Sequence, residues 1–319
     1  MKLGLIVVAL SVFGSTAVHA QSLGSKPITI VVAHPAGGGT DVVARVLAQK
    51  VSEQMGRQVV VDNKPGASGI IGTDAVARSA PDGHTLMVIP DTNAIVPALY
   101  ANLNSDLLKD FAPITLLAVG SHVIVAHPSF PPNNVRELIE YAKKHPAEPY
   151  ASAGNGTAQH LGMELFKMMS GINLQHVPYK GGGQAINDIV GGQVKVAMLG
   201  LAPVLQHIRA GKLKAIAVTG DKRSPPLPNV PTVAESGLPG FSTLQWFAVV
   251  APAATPAPIV KQLHAEFLKA SRDSDVVEKL AGVGLEVRTS AAPEDLSAFL
   301  EQELRKWPPI VKAAQVKID

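Results

Sequence analysis

Residues 28–45 read ITIVVAHPAGGGTDVVAR. Ile28 to Ala33 is a short apolar run rich in β-branched residues, and it reads as a buried strand. Pro35-Ala36-Gly37-Gly38-Gly39 follows as a loop open to conformations that a β-carbon forbids. Thr40 or Asp41 is placed to cap a helix, in which Val42, Val43, Val46 and Leu47 recur at helical spacing. A strand, a glycine loop and a helix in this order turn unpaired backbone N–H groups and the positive end of a helix dipole toward the loop. Such a place suits a phosphate or a carboxylate. One such loop is equally well a close-packed turn, but this chain repeats the unit. Tyr150-Ala151-Ser152 ends a short strand, Ala153-Gly154-Asn155-Gly156-Thr157 follows, and then comes a helix carrying Leu161, Leu165, Phe166 and Met169. A third version runs from a strand at Leu174 to Pro178, through Tyr179-Lys180-Gly181-Gly182-Gly183, into a helix from Gln184 to Val190.

Between these units the chain alternates strand and helix patterns, which implies parallel sheets with helices on both faces. Gln58 to Asp62 and Thr85 to Ile89 read as strands, with a helix from Gly69 to Arg78 between them. Asp91-Thr92-Asn93 follows a strand end, where ligands of α/β proteins bind. Ile114 to Val119 and His122 to Ala126 read as two apolar runs separated by Gly120-Ser121. After the strand at Leu244 to Ala251, which opens with Trp246-Phe247, the tail is helical: Pro256 to Ser271, Ser274 to Ala281 and Pro293 to Ala314. Such a tail has few strands of its own to cover, so it is expected to pack back onto the first sheet. The fold class is therefore α/β with two lobes. Residues 21–120 and 245–319 form the first, discontinuous lobe, and residues 121–244 the second. Two chain crossings make a hinge, and the glycine loops face one cleft.

The 319 residues suffice for two such cores, and with 46% hydrophobic and 17% charged residues the chain is globular in composition. A net charge of +3 with scattered basic residues gives no footprint for nucleic acid. Residues 1–20 read as a signal peptide: Lys2, an apolar run from Leu3 to Phe13 too short for a stable span, and a small-x-small ending at Val18-His19-Ala20. Cleavage is expected after Ala20. The chain has no cysteine, which excludes a disulfide and a lipidated N-terminal cysteine. The mature protein is expected in the periplasm of a Gram-negative cell, without a membrane anchor and as a monomer.

An enzyme reading finds no catalytic set. Ser152 lies in Ala-Ser-Ala and not in a Gly-x-Ser-x-Gly elbow. His160 follows eight residues on, and reads as a structural hydrogen-bonding residue or as a ligand contact. The ten histidines form no His-Glu-x-x-His and no cluster for a metal. The glycine loops lack the Gly-Lys-Ser/Thr of a nucleotide loop and the Gly-x-Gly-x-x-Gly of a dinucleotide site. No cofactor is expected. The loops suit a small anion held mainly by backbone N–H groups, with no chemistry done on it.

Several stretches carry a resemblance. Lys26-Pro27-Ile28-Thr29-Ile30-Val31-Val32, followed by Pro35 to Asp41, resembles the opening of the Bug (Bordetella uptake gene) family, the periplasmic receptors of tripartite tricarboxylate transporters. The likeness continues through Val61-Asp62-Asn63-Lys64-Pro65-Gly66, Ala80-Pro81-Asp82-Gly83, Tyr150 to Thr157, and His176-Val177-Pro178-Tyr179-Lys180-Gly181. It ends with Leu227 to Glu235 and Trp246-Phe247, and so spans the mature chain in order. The resemblance implies a periplasmic binding protein of type II-like fold with an interdomain cleft. It implies that Pro35 to Asp41 and Ser152 to Thr157 clamp a ligand carboxylate, with Tyr179, Lys180 and Gly181 lining the same cleft. The implied partners are the membrane components of the transporter; a sensory receptor serving a histidine kinase is the alternative, and an exported hydrolase a remote one. Relatives often carry an acid near Gly200, whereas Met198-Leu199-Gly200-Leu201 has none, which argues against an amino-acid ligand; Asp91 is the acid that could pair with an ammonium instead. Trp246 offers a flat wall for the cleft, or a core residue.

Overall fold

Along the first strand, β1 (Ile28–Val32), side chains alternate between two cores: Ile28, Ile30 and Val32 enter one, Val31 and the following Ala33 the other. The computed structural model describes residues 23–316, so the expected signal peptide lies outside the described residues. The chain continues through α1 (Gly39–Met55), β2 (Val59–Asn63), a 3-10 turn at Ala67–Gly69, α2 (Ile70–Ala77), β3 (Thr85–Pro90) and α3 (Thr92–Leu99). A long strand, β4 (Phe111–Ala126), leads out of this first part. The second part holds α4 (Val135–Lys144), β5 (Glu148–Ser152), α5 (Ala158–Ser170), β6 (Leu174–Pro178), α6 (Gly182–Val190), β7 (Val196–Gly200), α7 (Leu201–Arg209) and β8 (Lys214–Val218). The chain returns through β9 (Leu244–Pro252) and ends in α8 (Ala257–Ser271), α9 (Ser274–Gly282), β10 (Glu286–Val287) and α10 (Pro293–Ala314).

The first lobe is built on a sheet of order β2-β1-β3-β9-β4-β10, and the second on β8-β4-β7-β5-β6. β4 belongs to both. Phe111 to Ser121 pair with β9, and His122 to Ala126 pair with β7. Within each lobe the strands joined by helices are parallel, β1 with β2 and β3, and β5 with β6 and β7. The sheets as a whole are mixed and not parallel as expected. β4 carries the chain out of the first lobe and β9 brings it back, so the two run antiparallel side by side.

One face of the first sheet is covered by α1, α8 and α9, through Leu47, Leu263, Phe267 and Leu280. The other face meets α3 and α10, through Ile95, Leu296, Leu300 and Trp307. The second sheet is sandwiched between α4 and α5 on one side and α6 and α7 on the other. The inner strands β1, β3 and β9 are thus buried on both faces, which is why they read as mostly apolar runs.

Gly120-Ser121 does not separate two strands, as expected, but lies inside β4. A β-carbon at Gly120 would meet Leu285 Cδ2 at 2.7 Å, so this glycine permits close packing and makes no turn. Neither Thr40 nor Asp41 caps α1: the cap is Gly38, without a side-chain bond. Asp41 sits in the first turn and reaches back to accept the Gly37 N–H at 2.9 Å. Among the described residues no helix is long and apolar enough to cross a membrane.

Candidate functional site

The loop between β1 and α1 faces the loop between β5 and α5 across a cleft of about 800 Å3. Pro35, Ala36, Gly37, Gly38, Gly39 and Thr40 line it from the first lobe, together with Thr92. Asn155, Gly156, Thr157 and Gly181 line it from the second. A second compartment of about 550 Å3 adjoins it and shares Gly37, Gly39, Gln159 and Gln245. Ala153 and Gly200 line that compartment, beside apolar Ile186, Leu199, Phe247 and Leu285.

The two loops are braced from behind. Asp41, buried at 3% exposure, accepts from Gly37 N, Arg45 Nε and Asn63 Nδ2, each at 2.9 Å. Burial by itself would raise the pKa of this carboxyl. The hydrogen bonds from Arg45, Gly37 and Asn63 outweigh burial and hold it below the usual carboxylate range. Asp41 is therefore a strut for the loop and does not line the cleft. In the second lobe Thr157 caps α5, accepting from His160 N and donating to Gly154 O. Gly156 N donates to His160 Nδ1 at 3.1 Å, and Gly154 N to Ser152 Oγ at 3.1 Å. Ser152 Oγ also lies 2.7 Å from His176 Nε2, and the rings of His160 and His176 stack at 3.7 Å. Burial brings His160 down to about 4 and His176 to about 3, so both rings are neutral. Ser152 and His160 thus act inside the lobe, as braces, and Gly154 faces the Tyr179 carbonyl.

Other expected site residues lie outside the cleft. Tyr179 donates its hydroxyl to Asp188 at 2.7 Å and packs beside the α6–α7 core. Lys180 is exposed and lines neither compartment. Asn93 bonds Thr73 Oγ1 at 3.0 Å and faces a cavity of about 30 Å3 behind the cleft wall. Trp246 forms no wall. It is fully buried against α10, donating its indole N–H to Glu303 Oε2 at 2.9 Å and meeting Phe299 edge to face. Strand alternation explains this: Gln245 and Phe247 point to the cleft side of β9, and Trp246 to the opposite side.

The structure adds His34, Ser68, Val96, Leu99, Gln159 and Gln245 to the lining, and Asp91, at the strand end singled out in the sequence, lines it too. Gln159 had a readable signal, since it falls in the first turn after the Thr157 cap. Gln245 had one too, as the strand neighbour of Trp246 on the opposite face. Ser68 had none, because it reaches the cleft through a left-handed backbone at φ 54°.

The N-termini of α1, α3, α5, α6 and α7 all border the two compartments, through Gly39, Thr92, Ala158, Gly182 and Ala202. First-turn N–H groups have no intrahelical acceptor. Among the described residues, those of Gly39, Thr40, Ala158, Gln159 and Gly182 find none elsewhere. The lining contains no lysine or arginine, and Asp91 is its one acid. The positive potential in this cleft comes from backbone dipoles, which can hold an anion by direct N–H donation.

The tripartite tricarboxylate transporter family receptor signature matches residues 43–316. Protein BugT of Bordetella pertussis is 35% identical over 326 residues, covering 100% of both chains. The solved structure of R. palustris Rpa4515 with adipate superposes with a TM-score of 0.78 at 33% identity, covering 91% of this chain and 98% of its own. MatC (Rpa3494) from Rhodopseudomonas palustris with bound malate gives 0.74 at 33% identity, covering 89% and 98%. The match extends through both lobes and the cleft between them, and this chain belongs to the tripartite tricarboxylate transporter receptor family.

Proposed function

We propose that this protein is a periplasmic receptor that captures a small carboxylic acid between its lobes and delivers it to the membrane components of a tripartite transporter. The observation that carries the reading is the convergence of helix N-termini on a cleft without cationic side chains. Carboxylate oxygens accept well from such N–H groups, and the apolar second compartment suits a short carbon body. The relatives crystallised with adipate and malate support the same ligand class. We divide the lobes at 21–120 plus 245–319 and 121–244, and assign ligand contact to Gly37–Thr40 and Asn155–Thr157, with Gly181, Gln159 and Gln245.

The ligand carries no free amino group. A buried ammonium needs an anionic partner: Leu199, Gly200 and Ala202 give the second compartment only apolar groups and backbone, and Asp91, the one acid of the lining, is the single side chain that could pair with it. A thermal-stability screen tests this with matched pairs, succinate beside aspartate and a keto acid beside its amino acid. Ligand at about a hundred times its Kd stabilises the folded state by about 2.7 kcal/mol, which a melting curve resolves. The acid is expected to raise Tm and its amino-acid counterpart to leave it unchanged. Stronger stabilisation by the amino acids would overturn the ligand class, and no stabilisation by any carboxylate would overturn the receptor reading.

A further inference from the structure

Asp91 stands at the end of β3 with its backbone fixed. Its N–H donates to Trp246 O at 3.1 Å, and its carbonyl accepts from Ala94 N and Ile95 N. Its Oδ1 accepts from Thr92 N at 2.9 Å and so caps α3, while Oδ2 receives no hydrogen bond among the described residues. Behind it, on α10, lies Glu303, 5% exposed, which holds both the Trp246 indole N–H and the ammonium of Lys306. The cluster therefore has two carboxyl groups and one cation, and the geometry gives that cation to Glu303. Asp91, only 6% exposed, is left without a counter-ion in the wall of the anion cleft.

We propose that Asp91 holds the ligand as a carboxylic acid, donating its own proton to one carboxylate oxygen of the captured anion, so that anion and proton enter the cleft together. The inference rests on the carboxylate reading above and names a specificity-determining residue within it. An ionised Asp91 would repel the anion and attract an ammonium. A protonated one supplies a charge-assisted O–H···O⁻ hydrogen bond, the strong kind. No covalent bond changes; solvent supplies the proton on binding and takes it back on release.

Burial, and next the charge of Glu303, push Asp91 up to about 7, against the opposing pull of the Thr92 N–H, Lys306 and the Thr92 side chain. The other groups around it add no fixed charge. His34, on the cleft rim after β1, is held toward its neutral form by burial. His122 of β4 is brought down to about 4, by burial first and by Lys306 second. Across the cleft α5 presents Thr157, Ala158 and Gln159, none of them ionisable. An incoming carboxylate adds a further negative charge and drives Asp91 fully to the acid.

Calorimetric titration with adipate and malate at pH 6.5 and pH 8.5 tests this, since carboxylates in water are ionised throughout that range. Affinity of the parent is expected to fall on the order of twenty-fold between the two values, by proton linkage to a group near 7. Heats measured at pH 8.5 in buffers of different ionisation enthalpy should report uptake of about one proton per ligand. Asp91→Asn keeps an oxygen to cap α3; it should fold, bind with no pH slope, and exceed the parent at pH 8.5. A flat parent profile, no buffer-dependent heat, or a slope retained in Asp91→Asn would overturn the assignment while leaving the receptor reading in place. Failure of both probes to bind at either pH would overturn the carboxylate reading and this inference with it.

Discussion

A β-carbon on Gly154 would stand 3.0 Å from the Tyr179 carbonyl oxygen, on a backbone at φ +142°. Gly38 differs: its φ is −76°, and a β-carbon there would meet Pro35 O at an ordinary 3.5 Å. Gly154→Val is therefore expected to lower stability by roughly 1–3 kcal/mol, the cost of a strained backbone, and to abolish binding by displacing the loop. Gly38→Ala should fold as the parent does, within about 0.5 kcal/mol as for a substitution without strain or burial. Urea midpoints of both variants check the contrast; equal midpoints would show that the Tyr179 contact is soft. The two glycines look interchangeable in the sequence. A glycine run announces conformational freedom, but which member uses it depends on φ, and in Gly37-Gly38-Gly39 only Gly37 takes a left-handed value, +82°. Asp41 was misread for a related reason. An acid at a helix start is as good a brace for the preceding loop as a cap, and the choice follows from Arg45 and Asn63, of which Asn63 lies on another strand.

At the scale of elements, the sequence was most legible where periodicity was long and clean. α1, α5, α8 and α10 repeat apolar residues at helical spacing over several turns, and β1, β3 and β9 are mostly apolar runs. α3 escaped notice because it has eight residues with Pro97 inside, too short to display a period and marked by a helix-breaking residue. Trp246 reads equally as a cleft wall or a core residue because an aromatic side chain has no visible direction until its strand has neighbours. The brace between α5 and β6 was equally invisible, since His160 and His176 meet only when β6 pairs with β5. That brace has a measurable signature. Both rings are neutral in the fold, with pKa brought down to about 4 and about 3, whereas in the unfolded chain they titrate near 6.5. Below pH ~6.5 the unfolded state binds protons that the native state refuses. Stability should hold above that value and drop by about 2–3 kcal/mol for each ring as pH falls toward about 4. Denaturant midpoints at pH 7 and 4.5 measure the drop, and His176→Gln, which keeps a polar partner for Ser152, should make it shallower. An unchanged pH slope in that variant would remove His176 from the account.

At the scale of the molecule, the chain passes between lobes twice, within β4 at Ser121 and His122 and again on the way into β9. The return was legible: a helical tail with little sheet of its own had to find one. Less legible was what joins the crossings. Thr219 accepts from His122 N at 3.0 Å and donates to Thr243 O at 2.7 Å, so one hydroxyl clips the outgoing strand to the returning chain. α10 also spans the lobes, since Leu296, Leu300 and Trp307 share a core with Ala158 and Leu161 of α5. The fold therefore has a narrow strand connection at one side and a helix–helix contact at another, the elements from which hinge motion with shear is built. Ligand that touches Gly39 and Thr40 on one lobe and Ala158 and Gln159 on the other gains contacts only when the lobes approach, so it favours the closed state. Small-angle scattering with saturating adipate should give a smaller radius of gyration than the unliganded protein, beyond the fitting error. Gln159→Ala and Gln245→Ala, which remove amides shared by both compartments, should weaken binding and reduce the population that closes at fixed ligand. An unchanged radius alongside calorimetrically proven binding would mean that the cleft is already closed, and that ligand enters by local opening of the glycine loops.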